Sequence, residues 1–324
     1  MQTSPLALLI IYTGGTIGMQ NSAEGYKPSA GIQALIENAL STKALQQLQP
    51  FKVLEFDHLI DSSNAQPNDW LSIGQCIDKH YQQYAGFIVL HGTDTMAYTA
   101  AALHHMLGSN IKPVIVTGSQ IPMHEARSDA PNNILEAALF ARSKKVRQVC
   151  LSFSGRLLAG NSAKKVHTSA LAAFDSPNRP ALATTGIKLN FCKETQHNDQ
   201  AINSQFNFSL MQANSVAVLM LYPGISKESI EGVFSNQNTK AVIMLSYGAG
   251  NPPDQNIDLI NALRRAQKNN ILLFNMTQCH LGAVSQGSYA VGSVLNKLGV
   301  ISAQDRTLED LVTDLYVNFS DYKT

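Results

Sequence analysis

The sequence predicts an α/β protein of two domains, each built on a parallel-rich sheet. Three observations predict it. Apolar, β-branched runs alternate with stretches whose apolar residues recur every three or four positions, the pattern of strand–helix–strand crossovers. The chain has 324 residues, more than one ordinary core organises. Residues 191–214 are rich in Asn, Gln and Ser and hold little to bury, so they read as a linker between domains at 1–190 and 215–324.

The elements follow in order. Leu6–Tyr12, Gly86–Leu90, Pro113–Val116 and Gln148–Phe153 are short apolar runs and read as buried strands. Between them Ile32–Ala39, Asp69–Tyr84, Ala97–Leu107 and Ile134–Ser143 carry helical spacing. After the linker, Val216–Leu221, Ala241–Leu245 and Ile271–Asn275 read as strands. Lys227–Phe234, Asn256–Lys268, Ser288–Leu298 and Thr307–Asn318 read as helices. Several strands end in a turn with Gly or a hydroxyl residue, as in Thr13-Gly14-Gly15, His91-Gly92-Thr93 and Thr117-Gly118-Ser119. Glycine there is ordinary turn chemistry. Threonine and aspartate beside it are not, and ligands of open α/β sheets bind beyond the carboxyl ends of the strands.

Bulk properties narrow the function. The net charge is +1 with no basic or acidic block, which argues against nucleic acid or a charged membrane surface as partner. No apolar stretch is long enough to span a bilayer. The cysteines, Cys76, Cys150, Cys192 and Cys279, are scattered and form no C-x-x-C pair, so neither a metal knuckle nor a redox pair is indicated. With no basic, apolar leader at the N-terminus, the expectation is a cytoplasmic protein acting on a small molecule.

The glycine loops exclude two common readings. Thr13 stands where G-x-G-x-x-G needs its first glycine, and no G-K-[ST] occurs. A hydroxyl nucleophile on a pliable loop asks less, and Thr16 meets it, with Tyr26 further along. In His91-Gly92-Thr93-Asp94-Thr95, Thr93 offers a second hydroxyl. Asp94 offers a carboxylate to hold a substrate amine, or an N-cap for the helix near Met96. His91 reads as a packed strand-end histidine in preference to a base. Lys164 and Lys165 read as a surface pair or as one inward lysine assisting a hydroxyl. Ser162-x-x-Lys165 also matches the serine–lysine pattern, without its companion motifs. Asp61-Ser62-Ser63 are either turn residues or a holder for amino and carboxylate groups.

Together Tyr12–Gly18, Leu90–Met96, Val114–Pro122, Ser246-Tyr247-Gly248 and Thr277-Gln278-Cys279 resemble the bacterial-type L-asparaginases, in their type I cytoplasmic branch. The resemblance covers nearly the whole chain. It implies a larger N-terminal and a smaller C-terminal α/β domain. It implies hydrolysis of asparagine to aspartate and ammonia with no metal or organic cofactor, in a homodimer or homotetramer. It assigns Thr16 as nucleophile, with Tyr26, Thr93, Asp94 and Lys165 catalytic, and selects Lys165 over Lys164. Asp61, Ser62, Ser63, Thr93, Asp94 and Ser119 would bind substrate. Residues 14–30 would form a lid. Leu245 stands where relatives with a second, regulatory asparagine site carry an arginine. The rival readings are a glutaminase-type or ammonia-supplying amidase, and a two-domain solute-binding protein.

Overall fold

In the computed structural model, residues 6–22, 25–109, 111–192, 205–286 and 290–322 are described, and the chain divides into two units, Met1–Phe208 and Ser209–Thr324. The first unit begins with β1 (Leu8–Gly14), the paired strands β2 (Met19–Ser22) and β3 (Gly25–Pro28), α1 (Ile32–Ala39), α2 (Thr42–Leu48) and β4 (Phe51–Ile60). It continues with α3 (Pro67–His80), β5 (Gly86–Leu90), α4 (Met96–Leu107), β6 (Val114–Thr117), α5 (Ala130–Ala141) and β7 (Val149–Phe153). Short strands close it: β8 (Arg156–Ala159), β9 (Lys164–Lys165), β10 (Phe174–Asp175), β11 (Ala183–Thr185) and β12 (Leu189–Phe191).

Eight of these strands form one sheet in the order β12-β11-β8-β7-β6-β5-β1-β4. From β4 to β7 all pairs are parallel, and β8, β11 and β12 extend the sheet antiparallel. The chain runs from β1 out to β4 on one side, then returns to place β5 on the other. The strand order therefore reverses between β1 and β5, and a crevice opens at such a switch point beyond the carboxyl ends. β1 is buried along its whole length. Leu8, Ile10 and Tyr12 of β1 share one core with Ile32 and Ile36 of α1 and Ile134 of α5. Each such aliphatic side chain stabilises the fold by about 1.5–3 kcal/mol.

The predicted strands and helices of this unit are present, with shifted ends. α3 begins at Pro67, two residues before the expected start, because the Gln66 amide donates to Asp69 Oδ2 (2.7 Å) and fixes the first turn. β4 is an additional strand that the residue pattern does not announce. Its Phe-Lys-Val-Leu-Glu-Phe-Asp-His pattern mixes charge with apolar residues because it is an edge strand, mostly half-buried or exposed. Residues 205–208 belong to the first unit. Phe206 packs edge-to-face on Tyr81 with ring centroids 4.9 Å apart, and Asn207 N donates to Met106 O (2.7 Å).

The second unit holds β13 (Val216–Met220), α6 (Lys227–Phe234), β14 (Ala241–Ser246), α7 (Ile257–Lys268), β15 (Leu272–Thr277), α8 (Ala290–Lys297), β16 (Ile301–Ser302) and α9 (Leu308–Val317). Its four strands are parallel in the order β13-β14-β15-β16. Ser226, Asn256 and Thr307 cap α6, α7 and α9 by accepting from Ser229 N, Leu259 N and Asp310 N, so three of the expected helices start where a cap residue stands. Arg306 ties the end of the chain together: Nε donates to Asp310 Oδ2 (2.6 Å) and Nη1 pairs with Asp314 (2.8 Å) and donates to Tyr322 Oη (2.9 Å).

Candidate active site

The loops after β1 and β5 meet at the switch point. Gly15 takes a positive φ of 86°, and a Cβ there would lie 2.3 Å from Gly92 Cα. The two loops thus touch backbone to backbone, which only glycine permits. Thr16 follows, half-buried, as the first residue of a single 3₁₀ turn, Thr16–Gly18, whose Ile17 carbonyl accepts from Met123 N (3.1 Å). Ser62 closes the third side. Its Oγ accepts from Asp94 N (3.3 Å) and its carbonyl accepts from Thr95 Oγ1 (2.7 Å).

Thr93 is buried at the centre of a polar cluster. Lys165 Nζ donates to Thr93 Oγ1 (2.8 Å) and to Asp94 Oδ1 (2.8 Å). Thr93 donates in turn to Gln120 Oε1 (3.2 Å). The direction of that last bond follows from the other end of Gln120. Its Nε2 faces the carbonyls of Thr168 (3.2 Å) and Ala170 (3.1 Å), which can only accept, so Oε1 must face Thr93. The Thr93 hydrogen is therefore aimed at Gln120, and an oxygen lone pair is turned to the lysine ammonium. Gln120 is fixed from below. Its backbone N and that of Ile121 donate to the Asp129 carboxylate (3.0–3.1 Å), which also accepts from Asn133 Nδ2 (3.0 Å) at the start of α5.

Other sequence expectations divide. Lys165 does not lie on a solvated face: it is on β9, paired antiparallel with β10, and its side chain is 21% exposed. Successive residues of a strand point to opposite faces, so Lys164 joins none of these bonds. Asp94 does not cap α4. Thr95 is the N-cap residue, without a side-chain cap bond, and Asp94 is spent on Lys165. Ser162 faces Ser176 Oγ (2.8 Å) and the Ala159 carbonyl (3.2 Å), and no bond joins it to Lys165. His91 is buried with both ring nitrogens engaged. Nδ1 donates to Gly92 O (2.8 Å), so Nε2 accepts from Thr99 Oγ1 (3.0 Å), and burial pushes the imidazole below its ordinary range.

Not every strand-end hydroxyl serves the site. Thr13 Oγ1 donates to Leu90 O (2.9 Å) and Thr117 Oγ1 to Ser152 O (2.7 Å), each stapling one strand end to its neighbour. Ser119 Oγ donates to Ile121 O (2.7 Å), which commits its hydrogen to its own loop. Asp61 caps the short turn Ser62–Asn64 through Ser63 N (3.3 Å), and both Asp61 and Ser63 are exposed. Tyr26 lies in β3, and its side chain is outside the described part of the structure. Gln120, Asp129 and Asn133 were missed as site residues, although Gln120 stood in a motif already singled out. The motif points to the loop, and an amide beside the Ser119 hydroxyl carries no pattern of its own.

Comparison with known proteins settles the family. The description "Asparaginase, N-terminal" matches residues 7–197, and "Glutaminase/Asparaginase C-terminal domain" matches residues 215–324. The chain belongs to the asparaginase family. It is similar to L-asparaginase 1 of Escherichia coli, at 40% identity over 96% of this chain and 90% of that one. Among solved asparaginase structures, L-asparaginase I of Vibrio cholerae superposes with a TM-score of 0.85 at 36% identity, over 98% of this chain and 93% of that one. A mouse protein named 60 kDa lysophospholipase is 37% identical over 95% of this chain, which spans 57% of that longer protein.

Proposed function

We propose that this chain is an L-asparagine amidohydrolase in which Thr16 forms a β-aspartyl ester. The observation that carries the reading is the bonded set Lys165–Thr93–Asp94, held against the Thr16 loop by the contact of Gly15 with Gly92. Family membership and the likeness to two L-asparaginases support the reaction. Thr16 Oγ attacks the side-chain carbonyl carbon and gives up its hydroxyl proton, the C–N bond breaks, and the leaving nitrogen takes up one proton in exchange to depart as ammonia. Water then attacks the ester, releasing aspartate and restoring the hydroxyl. An amide needs such a nucleophile, donors for its oxyanion and a proton for its leaving group. Thr93 positions the water, and Lys165 keeps positive charge beside it. Asp94, 59% exposed along its side chain, is open to the amino group of the substrate. Ser62 joins it there, with Asp61, Ser63 and the Ser119 loop around the substrate and Tyr26 carried on β3.

The enzyme works in the cytoplasm, a reading supported by four cysteines of which none is in a disulfide. It assembles as a homodimer or homotetramer. The edge strand β13 supports this, since Val218, Met220 and the following Tyr222 leave apolar surface exposed.

The test is ammonia release from asparagine and glutamine over a concentration series. Asparagine should be favoured, since one methylene discriminates by about 1–3 kcal/mol. Saturable binding without turnover, or turnover of a lysophospholipid but not of asparagine, would overturn the reading.

A further inference from the structure

The amino ends of the main sheet carry a second cavity, at the opposite end of the strands from the candidate site. It has a volume of about 940 Å³ and sits where Ala85, Pro113 and Val146 lead into β5, β6 and β7. Among the described residues, four cations line it, Lys112, Arg142, Lys144 and Arg147, and no carboxylate does. Two of them have their heads held by backbone carbonyls, Lys112 also lying 5.0 Å from the centre of the Tyr81 ring. Lys112 Nζ donates to Tyr81 O (2.6 Å) and Tyr84 O (2.9 Å), and Arg142 Nη2 donates to Leu48 O (2.8 Å) and Pro50 O (3.0 Å). Carbonyl dipoles fix these heads without cancelling their charge, and burial pushes both groups below their ordinary values. Among the described residues, Lys112, Arg142 and Lys144 form no ion pair.

Like charges gathered around one concave volume repel unless something negative joins them. The carboxyl-terminal end of α5 accounts for Arg142 and Lys144, since cations are favoured there. It does not account for Lys112, which enters from the segment before β6. We propose that this cavity binds a polyphosphate group, either free or carried by a nucleotide. Guanidinium and ammonium groups supply the charge-assisted donors that phosphate oxygens take. The Gln47 and Gln49 side chains and the apolar wall leave room beside them for a base.

The experiment is titration calorimetry on the full chain with metal-free ATP and with inorganic triphosphate. Saturating aspartate is present so that the catalytic end is occupied. Saturable binding of one ligand per chain is expected, weakening as salt is raised. Lys144→Glu and Lys112→Met should each weaken it by roughly tenfold or more while asparagine turnover, read at the other end of the strands, is unchanged. Should Lys112→Met not fold, Lys144→Glu carries the test, because the Lys144 side chain is exposed. ATP binding at least about tenfold tighter than triphosphate identifies a nucleotide, and equal affinities identify the phosphate group alone. Either supports the site. Failure of both to saturate at about 10 mM, or variants that bind as the parent does, overturns it.

Discussion

Thr93 shows how a residue's role depends on which way its one hydrogen points. Gln120 takes that hydrogen, so in this arrangement Lys165 donates to Thr93 and does not receive from it. Thr16→Ala and Thr93→Ala should each lower kcat by about 10³-fold or more. The double variant should be little worse, as groups acting together lose activity non-additively. Ser162→Ala should be near the parent, and the reverse pattern in an ammonia assay would restore the serine–lysine reading. Lys165→Met should cripple turnover where Lys164→Met does not. His91 gives a pH prediction. Its folded-state imidazole is held below the ordinary value of 6.5, so the unfolded chain binds more protons at acid pH. That contribution to stability is whole above pH 6.5 and is lost as pH falls from there toward the depressed folded value. His91→Gln should be less stable at pH 7.5 by urea denaturation yet lose less on acidification. At this scale the sequence exposed the threonines, Asp94 and the lysine pair through their motifs. It hid Gln120, because an amide among turn residues has no distinctive pattern until its acceptors, Thr168 and Ala170, are folded next to it.

The loops after β1 and β5 behave as one element because their glycines touch. Gly15→Ala places a methyl group 2.3 Å from Gly92 at a φ that side chains rarely adopt. It should cost about 1–3 kcal/mol of stability, and turnover should fall more than the loss of folded protein explains. A calorimetric Tm together with kcat at 15 °C would check this, and parent-like values for both would mean the contact is dispensable. Strand and helix positions were legible where periodicity was clean, as in Gly86–Leu90, Ile32–Ala39 and Lys227–Phe234. β4 was not, since an edge strand need not alternate. The two-residue strands β9 and β10 were not either, being too short to carry a period, yet β9 is what turns Lys165 inward.

For the molecule as a whole, the α/β class followed from alternation alone, whereas the order of the sheet did not. Nothing in residues 51–60 announces that they flank β1 on the side away from β5, and that placement is what creates the switch point. Light scattering at micromolar concentration should find a dimer or larger species, and a mass no greater than one chain would reject the assembly. The strand order also bears on how the protein is made. The neighbour that completes the pairing of β1, β5, is translated only after β4 and α3. Lys165 comes later still, at a pace of about 5–20 residues per second. The nascent chain therefore carries a largely apolar strand, buried in the finished fold, with an open edge for several seconds. It has no hydrolytic competence in that interval, so chaperone demand during translation should centre on β1 and end when Gly86–Leu90 emerges.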